Sequence, residues 1–224
     1  MLMRTLLQLD ASANPGVSAS RALTSEFAAA WQAVHPVSAV VHRDLGLRAP
    51  ASLDRGLLAA LWASPGAALE APALEARRAS EALIQEFLSA DAFVMGVPMY
   101  NFTVPAGFKA WIDHVVRFGH TVVRGPRGTE PVVKGRKALV IATRAGDFSK
   151  GGARDGWDFV GPYLEKVLGY LGLEPAILPV VSAPGRPDAE ERLAEARERM
   201  GYVLKRWSAA ETEAGREGDG RAAA

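Results

Sequence analysis

Short apolar runs alternate along this chain with longer stretches in which apolar positions recur at helical spacing. The short runs, bounded by turn residues, have the pattern of strands buried on both faces of a sheet; the longer stretches have that of amphipathic helices. Strands are predicted at Thr5 to Leu9, Ala39 to His42, Ala92 to Val97, Ala138 to Ala142 and Ile177 to Val181. Helices are predicted at Ala19 to His35, Leu74 to Ser89, Pro105 to Phe118, Phe159 to Leu171 and Asp188 to Trp207. This alternation implies βαβ units, hence an α/β fold with a doubly wound five-stranded parallel sheet and helices on both faces. Pro105 suits a first helical turn, because its φ is already helical and its missing N–H would have no partner there. Phe108, Trp111, Ile112, Val115 and Val116 then share one face of that helix.

Two stretches fall outside the alternation. The segment Arg48 to Ala73 is rich in Ala, Pro and Gly and is predicted to be a surface excursion with a short helix at Leu57 to Trp62. Past residue 207 large apolar residues all but vanish, so 1–207 is expected to form a single domain and 208–224 a disordered tail. The opening apolar run is short and closed by Asp10, which makes it a first strand rather than a secretory leader. No stretch nears the roughly eighteen continuous apolar residues of a membrane helix, and a cytoplasmic protein is expected.

Composition narrows the chemistry. With 26 Lys and Arg against 25 Asp and Glu, the net charge is +1, so no global field gathers nucleic acid or an anionic membrane, and neither is an expected partner. The chain has no cysteine, which removes disulfides, thiol nucleophiles and Cys-ligated metals together. Its histidines, His35, His42, His114 and His120, show no metal-ligand spacing, and there is no G-x-S-x-G elbow for a serine hydrolase. Redox chemistry in such a chain needs a bound cofactor.

In a doubly wound sheet ligands bind beyond the carboxyl ends of the strands, and three loops there have unusual compositions. After the first strand, Asp10 to Arg21 places Ser12, Ser18 and Ser20 at a helix N-terminus, where free N–H groups and the helix dipole favour a phosphate. The loop has neither the G-x-G-x-x-G of a dinucleotide site nor a Walker lysine, so a monoester such as that of FMN fits better than NAD or a nucleoside triphosphate. The same serines also suit a plain turn and N-cap. After the third strand, Gly96 to Pro105 brings Met99, Tyr100, Asn101 and Phe102 to the mouth of the sheet, a mixture suited to an isoalloxazine ring or to simple packing beneath a helix. After the fourth, Thr143, Arg144, Ala145 and Gly146 offer close backbone approach and a cation, or an ordinary mobile loop.

The run Pro98-Met99-Tyr100-Asn101-Phe102, then Val104-Pro105 and Lys109-Ala110-Trp111-Ile112-Asp113, resembles the FMN-dependent NADH-azoreductase family of flavodoxin-like quinone reductases. Arg43-Asp44-Leu45, Lys134-Gly135 before Ala138 to Ile141, and Leu168 to Gly172 add to the likeness, which spans Thr5 to Ser182. The resemblance implies a flavodoxin-like fold with tightly bound, non-covalent FMN and NADH or NADPH as electron donor. It implies reduction of quinones or azo compounds by a ping-pong, two-electron mechanism, in a homodimer with active sites at the interface. It sets Ser12, Ser18, Ala19 and Ser20 at the phosphate, and Met99, Tyr100, Asn101, Phe102, Thr143, Arg144, Ala145 and Gly146 around the ring. Trp157, Phe159 and Tyr163 would complete the partner's pocket. No obligatory catalytic nucleophile is implied; Tyr100 and His120 are candidate proton donors. Two departures stand out: Ala145 replaces a usual glycine, which raises the question of a positive φ there, and Val122 replaces a usual aromatic. The competing function is a flavodoxin-like electron carrier or flavin module serving a protein partner, against which the neutral charge and the added apolar loops argue.

Overall fold

A computed structural model describes residues 4–63, 67–126, 128–182, 185 and 187–222, with side chains through residue 209. The elements run β1 (Thr5–Asp10), α1 (Ala19–Val34), β2 (Ala39–Asp44), α2 (Arg55–Trp62), α3 (Ala71–Ser89), β3 (Ala92–Gly96), α4 (Ala106–Val115), β4 (Val122–Gly125), β5 (Gly128–Pro131), β6 (Arg136–Arg144), α5 (Val160–Tyr170), β7 (Leu173–Val181) and α6 (Ala189–Ala222). Five strands form one parallel sheet in the order β2-β1-β3-β6-β7. This is the flavodoxin-like order.

The central strands explain the two-sided core. Along β3 and β6 the side chains divide by parity, as the two-residue period of a strand requires. Phe93, Met95, Val140 and Ala142 pack toward α3, α4 and α5, with Phe87, Trp111 and Leu164 opposite. Val94, Leu139 and Ile141 pack toward α1 and α6, with Phe27, Trp31 and Trp207 opposite. Trp207 meets Phe27 edge-on at 5.5 Å and so docks α6 on α1. Both faces are thereby closed, which a parallel sheet requires.

Several element bounds differ from the sequence reading, each for a local reason. The β7 strand begins at Leu173 because it pairs with β6 along its whole length, from Arg136↔Leu173 to Arg144↔Val181, although Glu174 and Pro175 interrupt its apolar run. The α4 helix ends at Val115, short of Phe118, where the Thr121 hydroxyl donates to the Val115 carbonyl at 2.5 Å and accepts the Arg117 N–H at 3.1 Å. Within the excursion, Asp54 caps α2 by accepting the Leu57 N–H at 2.7 Å, and α3 starts at Ala71 with a proline in its first turn. The buried His114 ties that excursion to α4 through Ala51 O at 3.0 Å. The antiparallel β4–β5 hairpin is an addition to the predicted set. Finally, α6 continues as helix to Ala222, through most of the stretch read as a tail. No helix among the described residues is long and apolar enough to cross a membrane.

Candidate active site

The strand order reverses between β1 and β3, so the loops after β1, β3 and β6 open side by side at one edge of the sheet. These are the three loops whose compositions stand out.

In the β1–α1 loop, Ser12 and Ser20 are buried. Ser18 is the N-cap of α1, its oxygen accepting the Arg21 N–H at 3.4 Å, and its hydroxyl lies 3.1 Å from that of Ser20. Capping and a hydroxyl cradle thus coexist. Asn14 folds the outer part of the loop, accepting the N–H groups of Gly16 and Val17 at 3.1 and 3.3 Å.

Contacts distant in sequence hold this loop from below. The Arg21 guanidinium donates twice to the Ser12 carbonyl, at 2.5 and 3.1 Å, and forks onto Asp44 at 2.6 and 2.7 Å. Gly46 lets the loop come this close, since a Cβ there would lie 1.9 Å from Ser12 O. Beneath them the buried Asp10 carboxylate accepts from Thr24 at 2.7 Å and from the Gln8 amide at 3.1 Å, and pairs with His42 at 2.8 Å. The Asp10 carbonyl accepts Leu45 N and Gly46 N. The loop between β1 and α1 is therefore clamped to both neighbours of β1.

The Arg21 fork holds the Asp44 carboxyl down to about 2, from an ordinary 3.8, with the Leu47 and Gly46 N–H groups adding to the effect. A carboxyl whose folded pKa is depressed contributes stability above its unfolded pKa and loses it as pH falls through the folded value. The pair contributes at most about 2 kcal/mol at neutral pH, less what solvent screening removes. Acid unfolding should show it: the stability gap between the parent and Asp44→Asn is expected to close between about pH 4 and pH 2.

The loop after β3 runs beside β6, with Val97 N and Met99 N donating to Ile141 O and Thr143 O. It then reverses in a tight turn in which Tyr100 and Thr103 exchange both backbone hydrogen bonds, while Asn101 and Phe102 take φ of 48° and 72°. Two central residues at positive φ make a type I′ turn, and a bulky aromatic in that region is strained by about 1–2 kcal/mol. Strain of this kind gathers at functional sites. Phe102 packs against Trp157 at 5.2 Å and Phe148 at 6.3 Å. Replacing Phe102 by Gly gives the preferred Asn-Gly pair, so unfolding in urea should show a gain of up to about 1 kcal/mol despite the lost aromatic contacts.

Tyr100 joins the first two loops, its hydroxyl lying 3.4 Å from Ser12 Oγ and accepting Ala13 N at 3.2 Å. At the end of β6, leading into the third loop, Thr143 and Arg144 are buried and Arg144 pairs with Asp158 at 2.6 Å. The buried Arg144 Nε has no hydrogen-bond partner among the described residues. Ala145 is not at positive φ; the left-handed backbone sits one loop away, at Asn101 and Phe102.

The two candidate proton donors are not side by side. Tyr100 lines a cleft of about 640 Å³ and His120 one of about 840 Å³; the two clefts share Lys109 and Tyr163 as lining residues. Burial, with the neighbouring Arg117, lowers the His120 pKa, which keeps the imidazole neutral at pH 7. Among the described residues no group of three or more potential metal ligands gathers. Arg21, Asp44, Gly46 and Asp10 carry no signal in the hydrophobic pattern; their roles come from contacts between elements. In the sequence, Arg43-Asp44-Leu45 of the family-like motif points to Asp44, and Asp10 and Arg21 bound the first unusual loop.

Comparison with known proteins agrees with this architecture. A family model described as flavodoxin-like fold matches residues 4–204. The FMN-dependent NADH:quinone oxidoreductase of Nostoc punctiforme is 38% identical over 207 residues, covering 92% of this chain and all of the relative. That of Acidobacterium capsulatum is 40% identical over 183 residues, covering 82% of this chain and 87% of the relative. An FMN-dependent NADH-azoreductase from Bacillus anthracis, solved in complex with FMN, has the same fold, with a TM-score of 0.81 at 21% identity, over 92% of this chain and all of that one. The chain therefore belongs to the flavodoxin-like family that contains the FMN-dependent NADH:quinone oxidoreductases.

Proposed function

We propose that this chain is an FMN-dependent NAD(P)H oxidoreductase that reduces quinones, azo compounds or both in a two-electron ping-pong cycle. The observation that carries this reading is the strained Tyr100–Thr103 turn, bonded through Tyr100 to a buried hydroxyl cradle across the point where the strand order reverses. The residues present fit FMN. Ser12, Ser18, Ala19 and Ser20 would hold the phosphate on the first turn of α1. Met99, Tyr100, Asn101 and Phe102 would border the ring, as would Thr143, Arg144, Ala145 and Gly146, where the Arg144 Nε has no hydrogen-bond partner among the described residues.

When bound, FMN supplies a two-electron relay between the nicotinamide and the acceptor. The protein's part would be positioning: the clamped loop would hold the phosphate, and the tight turn the ring. Donor and acceptor take turns in the cleft beside the turn, which gives ping-pong order without a nucleophilic side chain. Tyr100 is the better placed proton donor, since it lines the cleft beside the turn and His120 lines the other. The catalytic unit spans 1–207, works in the cytoplasm, and acts as a homodimer in which Trp157 and Phe159, each 55% exposed, meet the partner's cleft together with Tyr163. Initial rates test the cycle directly. Parallel double-reciprocal lines for NADH at several benzoquinone concentrations support it; converging lines contradict ping-pong, and one-electron exchange with a protein partner favours the carrier.

A further inference from the structure

The two segments assigned to the ring, 99–102 and 143–146, are tied together by a residue outside both. Asp158 precedes α5, and its Oδ1 accepts the Val160 and Gly161 N–H groups at 3.0 and 3.1 Å, as an N-cap does. Its Oδ2 accepts from Arg144 Nη1 at 2.6 Å. The pair is largely desolvated, with the Arg144 and Asp158 side chains 5% and 22% exposed. Arg144 follows the parity of Val140 and Ala142, which pack toward α5, so the strand aims it at a carboxylate that two backbone donors already hold still.

The next residue carries the link onward. Phe159 N donates to Phe102 O at 3.2 Å, and Phe102 is one of the two residues at positive φ. The Phe102 ring meets Trp157 at 5.2 Å and Phe148 at 6.3 Å, while the Arg144 guanidinium lies 5.8 Å from the centre of the Phe148 ring. A strained backbone persists only where its surroundings over-determine it. Here those surroundings are residues 157–159 and Phe148, and Asp158 joins them to the end of β6.

On the FMN reading proposed above, we infer that Asp158 is a positioning residue for the flavin ring: its carboxylate fixes Arg144, and the Phe159 N–H beside it fixes the Asn101–Phe102 turn. It acts through these two segments, a task separate from that of the serine cradle. Asp158 also offsets the Arg144 charge, so it works against the negative charge that the ring gains on reduction.

Asp158→Asn is the test, because Asn still caps a helix but cannot pair with Arg144. FMN and riboflavin are each expected to bind about tenfold more weakly, with the ratio of their affinities kept. The midpoint potential of bound FMN is expected to rise by about 30 mV, the equivalent of a tenfold shift toward the reduced form for a two-electron couple. In the apoprotein the Phe159 amide should exchange its hydrogen at least about tenfold faster. A loss confined to FMN would assign Asp158 to the phosphate cradle, and equal losses with an unmoved potential would reduce it to a helix cap; either result, or no loss at all, overturns the inference. Should Asp158→Asn not fold, Phe159→Pro read against Phe159→Ala decides, since proline suits the start of a helix and removes the N–H that Phe102 O accepts. Both flavins are expected to bind about tenfold more weakly to the proline variant, and equal binding to the two overturns the inference. A parent protein that binds no flavin sinks the FMN reading and the positioning role with it, whereas a parent that binds FMN and is bleached by NADH, with Asp158→Asn matching it throughout, sinks the positioning role alone.

Discussion

Ser18→Asp is expected to weaken FMN binding by about two orders of magnitude while leaving riboflavin binding within about threefold of the parent. Asp is as good an N-cap as Ser, and its charge is favoured at a helix N-terminus, so α1 should keep its start and its stability. The cost falls on the ligand, because the carboxylate enters the cradle where Ser18 and Ser20 hydroxyls lie 3.1 Å apart. Two unit charges about 4 Å apart repel by about 4 kcal/mol at the effective dielectric of a protein surface, before salt screening. Fluorescence titration with both flavins separates the cases. Parallel losses for FMN and riboflavin would mean that the loop itself had been distorted; no loss for either would move the phosphate away from α1.

Gly46→Ala should have the second large effect. An added Cβ meets Ser12 O at 1.9 Å, Ser12 C at 2.5 Å and Arg21 Nη2 at 2.8 Å. Two of these contacts are backbone atoms, so the loop must move. The Arg21 fork loses either Ser12 or Asp44, and the hydroxyls of Ser12 and Ser18 lose their register. Unfolding free energy is expected to fall by about 2–3 kcal/mol, and FMN affinity by at least about tenfold. Denaturation with and without saturating FMN reads both. An unchanged FMN affinity in a destabilised variant would show that the clamp supports the fold but not the cradle.

The sheet was legible because its centre is unambiguous. Strands β1, β3 and β6 are buried on both faces and mostly apolar, and such short buried runs between turn residues read as strands. Legibility falls off toward the edge. The first half of β7 is written with Glu174, Pro175 and Ala176, and only its pairing with β6 makes it a strand. The β4–β5 hairpin has four-residue strands with few buried positions, too short to show a period, although glycines at 125 and 128 mark its turn. The end of α4 depends on a hydroxyl six residues beyond Val115, which periodicity does not register.

The candidate site divides in the same way. Its three loops could be read because their compositions are chemical rather than hydrophobic. The groups that fix those loops could not, since Arg21 meets Asp44 and Asp10 meets His42 across more than twenty residues of chain. Ala145 raised the question of a positive φ, and the left-handed backbone lies instead at Asn101 and Phe102, because the turn closes through Tyr100 and Thr103 hydrogen bonds that no composition reveals. Asp158 was likewise hidden: as a lone acid before a helix it has no pattern, and its pairing with Arg144 alone gives it meaning.

The central claim is tested most directly by titrating the purified protein with FMN and following its visible absorbance through anaerobic additions of NADH and then benzoquinone. The account predicts saturable FMN binding, bleaching of the bound flavin by NADH, and full return of colour on adding one equivalent of quinone. A protein that binds no FMN, or whose bound FMN is not bleached by NADH or NADPH, would contradict it.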